Sequence, residues 1–267
     1  MDDIPPHPQP ARLLDGVRFA FGTLTVLPVR VARWDREAAR RGMVCAPLAG
    51  LAVGLFAAAV AGVLLVLGAG ALLAAFAAVA VGAVLTRGLH LDGLADVADG
   101  LGSGKPADEA QKIMKRSDIG PFGTVTLVLV LGGQAAALSQ LYAAGWAYGA
   151  AGGAVAAVVA RTALTLAARG GVAAARPDGL GAAVAETVPV RTAYATSAVV
   201  ALAAAAAGAL FGWAPVVQFA AAAVLGLAAA EALLAHSGRR LGGVTGDVLG
   251  AVAETAGTAA LVVLALG

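Results

Sequence analysis

Charge is scarce in this sequence: only 13% of its 267 residues are Asp, Glu, Lys or Arg. So few charges cannot clothe a water-soluble surface of ordinary composition. Cysteine is scarcer still. Cys45 stands alone, which excludes an internal disulfide, and its place at the mouth of an apolar run makes it a small helix- or lipid-facing side chain. The three histidines, His7, His90 and His236, are too far apart for the spacing of a histidine-based metal site. The first forty residues carry repeated arginines and no apolar core followed by a small-residue cleavage site, so no cleaved signal is expected.

What is abundant is apolar. Hydrophobic residues make up 60% of the chain, glycine occurs 36 times, and mean hydropathy is +0.86. This composition predicts an all-α, polytopic integral membrane bundle forming a single membrane domain over 1–267. Apolar stretches near 45–68, 70–88, 121–143, 149–168, 191–211, 214–235 and 248–266 predict about seven crossings. Residues 1–44 are expected to be cytoplasmic or interfacial, with 13–29 as an interfacial helix.

The net charge of +2 and pI near 9.0 do not argue for nucleic acid, because basic residues in a membrane protein first report topology. Of 18 Lys and Arg, seven precede the first span, and Arg87, Lys105, Lys112, Lys115 and Arg116 lie between the second and third. Arg169, Arg176 and Arg191 flank the loop after the fourth span, and Arg239 and Arg240 follow the sixth. The alternate connections hold none, but contain Trp146, Tyr148 and Trp213, as an interfacial aromatic belt would. The expected protein is therefore a multi-pass protein of the cell inner membrane, embedded in the lipid bilayer, with its amino terminus and charged loops cytoplasmic.

One segment breaks the apolar rule. His90-Leu-Asp-Gly-Leu-Ala-Asp-Val-Ala-Asp-Gly100 places three aspartates within eight positions, in a cytoplasmic segment spanning 89–120. On a helix Asp92, Asp96 and Asp99 share one face, where three like charges repel. An all-oxygen cluster suits a hard divalent cation, and Mg²⁺ commonly takes one or two carboxylates and completes its shell with water and substrate phosphate. The expected metal ligands are Asp92, Asp96 and Asp99, with a phosphate-bearing substrate.

The Asp-Gly-x-x-x-Asp spacing loosely resembles the CDP-alcohol phosphotransferases. A much closer resemblance is to the adenosylcobinamide-GDP ribazoletransferases, also called cobalamin 5′-phosphate synthases. It rests on 90–100 together with Phe21-Gly-Thr-Leu-Thr-Val-Leu-Pro-Val29, Arg41-Gly-Met-Val-Cys-Ala-Pro-Leu-Ala-Gly50 and Ile113-Met-Lys-Arg-Ser-Asp-Ile-Gly120. Asp178-Gly-Leu-Gly181 and Gly242-Gly-Val-Thr-Gly-Asp-Val-Leu-Gly250 extend it along nearly the whole chain. One departure stands out. The family pattern has an acid, then Ser or Pro, then Arg, where this chain has Arg116-Ser117-Asp118. An exchanged pair keeps its function if the two side chains touch, and not if either binds phosphate alone.

The resemblance implies an Mg²⁺-dependent transferase. It would join adenosylcobinamide-GDP to α-ribazole or its 5′-phosphate, giving adenosylcobalamin or its 5′-phosphate and releasing GMP, a late step of cobalamin biosynthesis. Catalytic residues are expected among Asp92, Asp96, Asp99 and Arg161, with Asp99 favoured as general base. Substrate contacts are expected from His90, Arg116, Asp118, Asp247 and Glu254. Arg161 is the one basic residue inside a span, where a buried guanidinium usually marks a site. Asp247 and Glu254 are two helical turns apart and are expected to face the cavity of the triplet; helix capping is the plainer role for Asp247. Glu231 has no assigned role. The competing reading is a cation-coupled transporter using Glu231 and Glu254 beside an arginine. Oligomeric state, a homo-oligomer included, is not encoded in any pattern here.

The orientation has a direct check. A cysteine placed at position 105 in a background lacking Cys45 should react with a membrane-impermeant thiol reagent only after the cytoplasmic face is opened; labelling of intact cells reverses the topology.

Overall fold

The computed structural model describes residues 12–266, and among them there are eleven α-helices and no strand. In chain order these are α1 (Leu13–Leu24), α2 (Arg36–Val66), α3 (Ala71–Leu85), α4 (Leu89–Gly102), α5 (Ala107–Met114) and α6 (Pro121–Ala144). There follow α7 (Trp146–Ala167), α8 (Gly179–Val184), α9 (Val190–Gly208), α10 (Trp213–Leu241) and α11 (Gly246–Ala265). His7 lies outside the described residues.

Six helices, α2, α6, α7, α9 with its 3-10 extension, α10 and α11, are long and apolar enough to cross a membrane. The seventh expected crossing takes a different form. Its apolar stretch ends in α3, and α4 leaves at 90° across a break at 86–88. Arg87 and Gly88 make the corner, both with positive φ, at 56° and 66°. A left-handed residue is ordinary for glycine and costly for arginine.

Two helices run past their apolar runs. α2 begins at Arg36 rather than near 45, because Asp35 caps it, accepting from the N–H groups of Glu37 and Ala38, and Glu37 binds Arg40 and Arg41 one turn on. α10 continues to Leu241, with Arg239 and Arg240 in its last turn, where cations suit the helix dipole, and Gly242 closes it at φ 83°.

α7 and α11 form the centre. Their most apolar stretches are 67% and 61% buried, against 17% for α9 and 28% for α6. In a bilayer, small residues allow helices close approach, and they sit at these crossings. A side chain at Gly54 of α2 would strike the Ala154 backbone of α7 at 2.7 Å, and one at Gly226 of α10 would lie 2.7 Å from the Ala256 carbonyl oxygen of α11. Short α1 packs on α2, burying Phe19 while Leu13 and Leu14 stay exposed, and it ends at Leu24, short of the 13–29 expected.

Glu231, without a role in the sequence, clasps the turn after α7 to α10. Arg169 donates to both of its carboxylate oxygens at 2.8 Å and also to the Leu166 carbonyl. Removing one partner of such a pair strands the other charge. Glu231→Ala should lower stability by roughly 2–3 kcal/mol, the partial exposure of the pair reducing the fully buried figure. Glu231→Met with Arg169→Met should recover most of it, read as melting temperatures in detergent.

Candidate active site

The aspartates stand where α4 crosses α11, and glycine sets the distance. A side chain at Gly93 would lie 2.6 Å from the Asp247 carbonyl oxygen, and one at Gly250 would lie 2.9 Å from that of His90. With no Cβ at either point the backbones meet. Asp92 and Asp96 of α4 are thereby set against Asp247 in the first turn of α11, and the carboxylates of Asp92 and Asp247 both act on Asp96. Asp247 is not the cap of α11. Thr245 is, accepting from the Val248 N–H at 3.2 Å, and its hydroxyl donates to Asp247 Oδ2 at 3.2 Å. Arg176 approaches the same oxygen at 3.5 Å.

Asp99 departs from the expected triplet. Its side chain turns to the start of α6, where Oδ2 accepts from the Gly120 N–H at 2.7 Å and Oδ1 from the Gly123 N–H at 2.9 Å. A carboxylate over two unsatisfied N–H groups at a helix N-terminus is a stable arrangement, and Gly120 and Gly123 leave it room. Both oxygens are thus engaged, and Asp99 is only 7% exposed. Its geometry is that of a helix cap, which corrects the expectation of a metal ligand and general base.

A hollow of about 630 Å³ opens beside α4, lined by Arg87, Asp92, Asp96, Arg116, Ser117 and Asp118. Arg116 and Asp118 share this hollow without an ion pair between them, so the exchanged order does not preserve a salt bridge. Arg87 was used in the sequence only to count charge. Its place is set by the corner between α3 and α4, which no periodic pattern reveals.

Arg161 and Glu254 face elsewhere. They line a separate cavity of about 100 Å³ among α2, α3, α6, α7 and α11, together with Gln134 and Tyr142. Glu254 accepts from Gln134 Nε2 at 2.9 Å, which corrects the expectation that it joins the aspartate cavity. His90 is 2% exposed, and its Nδ1 has no hydrogen-bond partner. Burial, then the charge of Arg161, holds its pKa well below the imidazole range, so it is neutral. His236 lies on α10, away from both cavities.

Among the described residues no three His, Cys, Asp or Glu side chains close on one point as a complete metal cage would. The donor set of the hollow nonetheless fits Mg²⁺, which takes one or two carboxylates and keeps positions for water and phosphate. The electrostatics agree: burial, then the carboxylates of Asp92, Asp247 and Asp99, pushes Asp96 up to about 7.

A pKa raised from 3.8 to about 7 has a definite sign. The folded protein holds the extra proton between those values, so the cation-free protein loses stability as pH rises through that window. In chelator, Asp96→Asn should therefore melt above the parent at pH 8, with the gap closing towards pH 5. A variant that melts lower at pH 8 would show that the cluster carries no such repulsion.

Comparison with known proteins bears on the family. Residues 16–265 match the family described as cobalamin-5-phosphate synthase. Proteins named adenosylcobinamide-GDP ribazoletransferase from Frankia casuarinae, a Nocardioides species and Prosthecochloris aestuarii are 42%, 41% and 36% identical to this chain. The matches cover 60%, 48% and 50% of this chain and 60%, 56% and 52% of the relatives, so the chain spans about half to three fifths of the length of the curated relatives it matches. No solved structure matches. With the family match running from α1 to the end of α11, this chain belongs to the cobalamin-5-phosphate synthase family.

Proposed function

We propose that the chain is the membrane transferase that joins adenosylcobinamide-GDP to α-ribazole or its 5′-phosphate and releases GMP. The observation that carries this reading is the hollow beside α4, where Asp92 and Asp96 face the guanidinium-bearing residues Arg87 and Arg116. Carboxylates for a cation and arginines for phosphate oxygens in one hollow suit a diphosphate. The acids that favoured a transporter have other uses, Glu231 on Arg169 and Glu254 on Gln134.

In this reading the ribose 3′-hydroxyl of the acceptor attacks the phosphorus on the aminopropanol arm. The new oxygen–phosphorus bond forms as the bridging bond to GMP breaks, and the hydroxyl proton passes to a carboxylate of the Asp92, Asp96 and Asp247 cluster. Asp92 and Asp96 would hold Mg²⁺, which offsets charge gathering on the departing phosphate. Arg87 and Arg116, lining the same hollow, orient the diphosphate. Asp99 keeps the first turn of α6 in place beneath them. The charged loops that surround the hollow lie on the cytoplasmic side, where GMP is released.

The test is GMP release by the detergent-purified chain. It should require both substrates and Mg²⁺ and fall at least about 100-fold in Asp92→Asn, a loss typical of removing one group that stabilises developing charge. A correctly folded parent that releases no GMP, or Asp92→Asn at parental rate, overturns the assignment.

A further inference from the structure

Among the described residues other than glycine, only two hold a positive φ, Arg87 at 56° and Glu186 at 58°. Left-handed backbone is costly for such side chains and clusters where groups are aimed at a ligand. Arg87 lines the hollow beside α4, whereas Glu186 lines a second pocket, of about 320 Å³, that the reaction above leaves unused. Its charged walls are Glu186, Arg36 at the start of α2, and Arg176; the rest are alanines and Pro177. Glu186 forms no ion pair with either arginine among the described residues. Its Oε1 accepts from the Gly171 N–H at 3.3 Å, and Oε2 has no partner there. Arg36 gives one nitrogen to the Ala185 carbonyl at 2.9 Å, and Arg176 gives one to Asp247 at 3.5 Å, which leaves the other guanidinium donors unspent. An acceptor and two forked donors share one pocket without satisfying each other.

We propose that this pocket holds the guanine base of adenosylcobinamide-GDP, Glu186 accepting from the ring N1–H and the 2-amino group, and the arginines donating to O6 and N7. The proposal rests on the transferase reading above. Chemistry and size select this base. Guanine carries two adjacent donors that one carboxylate accepts together, and beside them two acceptors that suit a guanidinium. Adenine would set an unprotonated ring nitrogen against Glu186, and xanthine a carbonyl oxygen, so each is repelled. A bare phosphate would leave Glu186 facing like charge. An apolar cavity of about 150 Å³ takes benzene, so 320 Å³ has room for a bicyclic purine.

Position supports the same reading. The Ala175 N–H donates to the Val244 carbonyl and the Val244 N–H to that of Ala173, both at 2.9 Å, and a side chain at Gly181 would lie 2.8 Å from Thr245 Cα. Two walls of the pocket, the turn at 174–177 and α8, are thereby fixed to the chain just before Asp247. Arg176 lines the pocket and reaches Asp247, whose carboxylate acts on Asp96 in the hollow. One residue thus touches both the pocket and the aspartate cluster, as one ribose joins guanine to the diphosphate it carries.

Equilibrium dialysis of GMP, AMP and xanthosine monophosphate against the full detergent-purified chain tests this. All three carry the same 5′-phosphate, so differences among them report the base. The parent should bind GMP at least about tenfold tighter than either of the others, the size of one hydrogen bond to a charged group. In Glu186→Gln the amide oxygen still accepts from N1–H, but the amide N–H opposes the 2-amino group of guanine and meets the 2-oxygen of xanthine. GMP should therefore weaken and xanthosine monophosphate tighten, moving the preference at least about tenfold, while KM rises for adenosylcobinamide-GDP and holds for α-ribazole. Equal binding of GMP and AMP by the parent, or a Glu186→Gln variant whose preference does not move, overturns the proposal. Arg36→Met removes a donor that both purines use and should weaken both alike; unchanged GMP binding in that folded variant overturns it as well. A parent with the expected base preference that releases no GMP in turnover would sink the transferase reading and leave the pocket standing. A parent that turns over without that preference would do the reverse.

Discussion

The close approach of α4 and α11 is the constraint on which the site depends. Carboxylates in so apolar a chain need compensation, and here they are brought together before they are compensated. Gly93 and Gly250 remove the two Cβ atoms that would hold the helices apart, so Asp247 arrives beside Asp92 and Asp96. Like charges gathered by packing repel, and burial first, then that repulsion, raises Asp96. A site under such strain is relieved by a cation, which links the backbone contact to the chemistry proposed for the hollow.

The other charges of the bundle are sorted by what satisfies them. Arg169 and Glu231 satisfy each other and tie the turn after α7 to α10. Asp99 is satisfied by the start of α6 and joins the motif helix to the next crossing. Arg161 alone, among the buried charges, has its carboxylate neighbour engaged by an amide instead. Contacts of the first two kinds hold neighbouring elements together.

Much of this was legible in the sequence, and what was not has definite causes. Long apolar runs gave the all-helical bundle, and the motif at 90–100 marked the segment that carries the candidate site. Spacing put Asp92, Asp96 and Asp99 on one face, but the fate of Asp99 turned on Gly120 and Gly123, more than twenty residues away, whose free N–H groups no local pattern reveals. The same limit applies to Glu254. Its helical phase matched Asp247, yet two turns along α11 carry it some 10 Å deeper, at 1.5 Å per residue, to a different cavity. Arg87 was hidden because its role comes from a corner, and a corner is not a periodic signal.

That corner is also where the fold spends stability on position. Arginine in the left-handed region costs about 1–2 kcal/mol over glycine, and Gly88 beside it already supplies one residue free to turn. A second glycine would close the bend between α3 and α4 more cheaply. Arg87 instead occupies it and lines the same hollow as Asp92 and Asp96. Strain of this kind persists where the surrounding structure holds it and clusters where groups are aimed at a ligand. The 90° turn does two things at once: it lays the aspartate helix against α11, and it brings an arginine to the hollow those aspartates line.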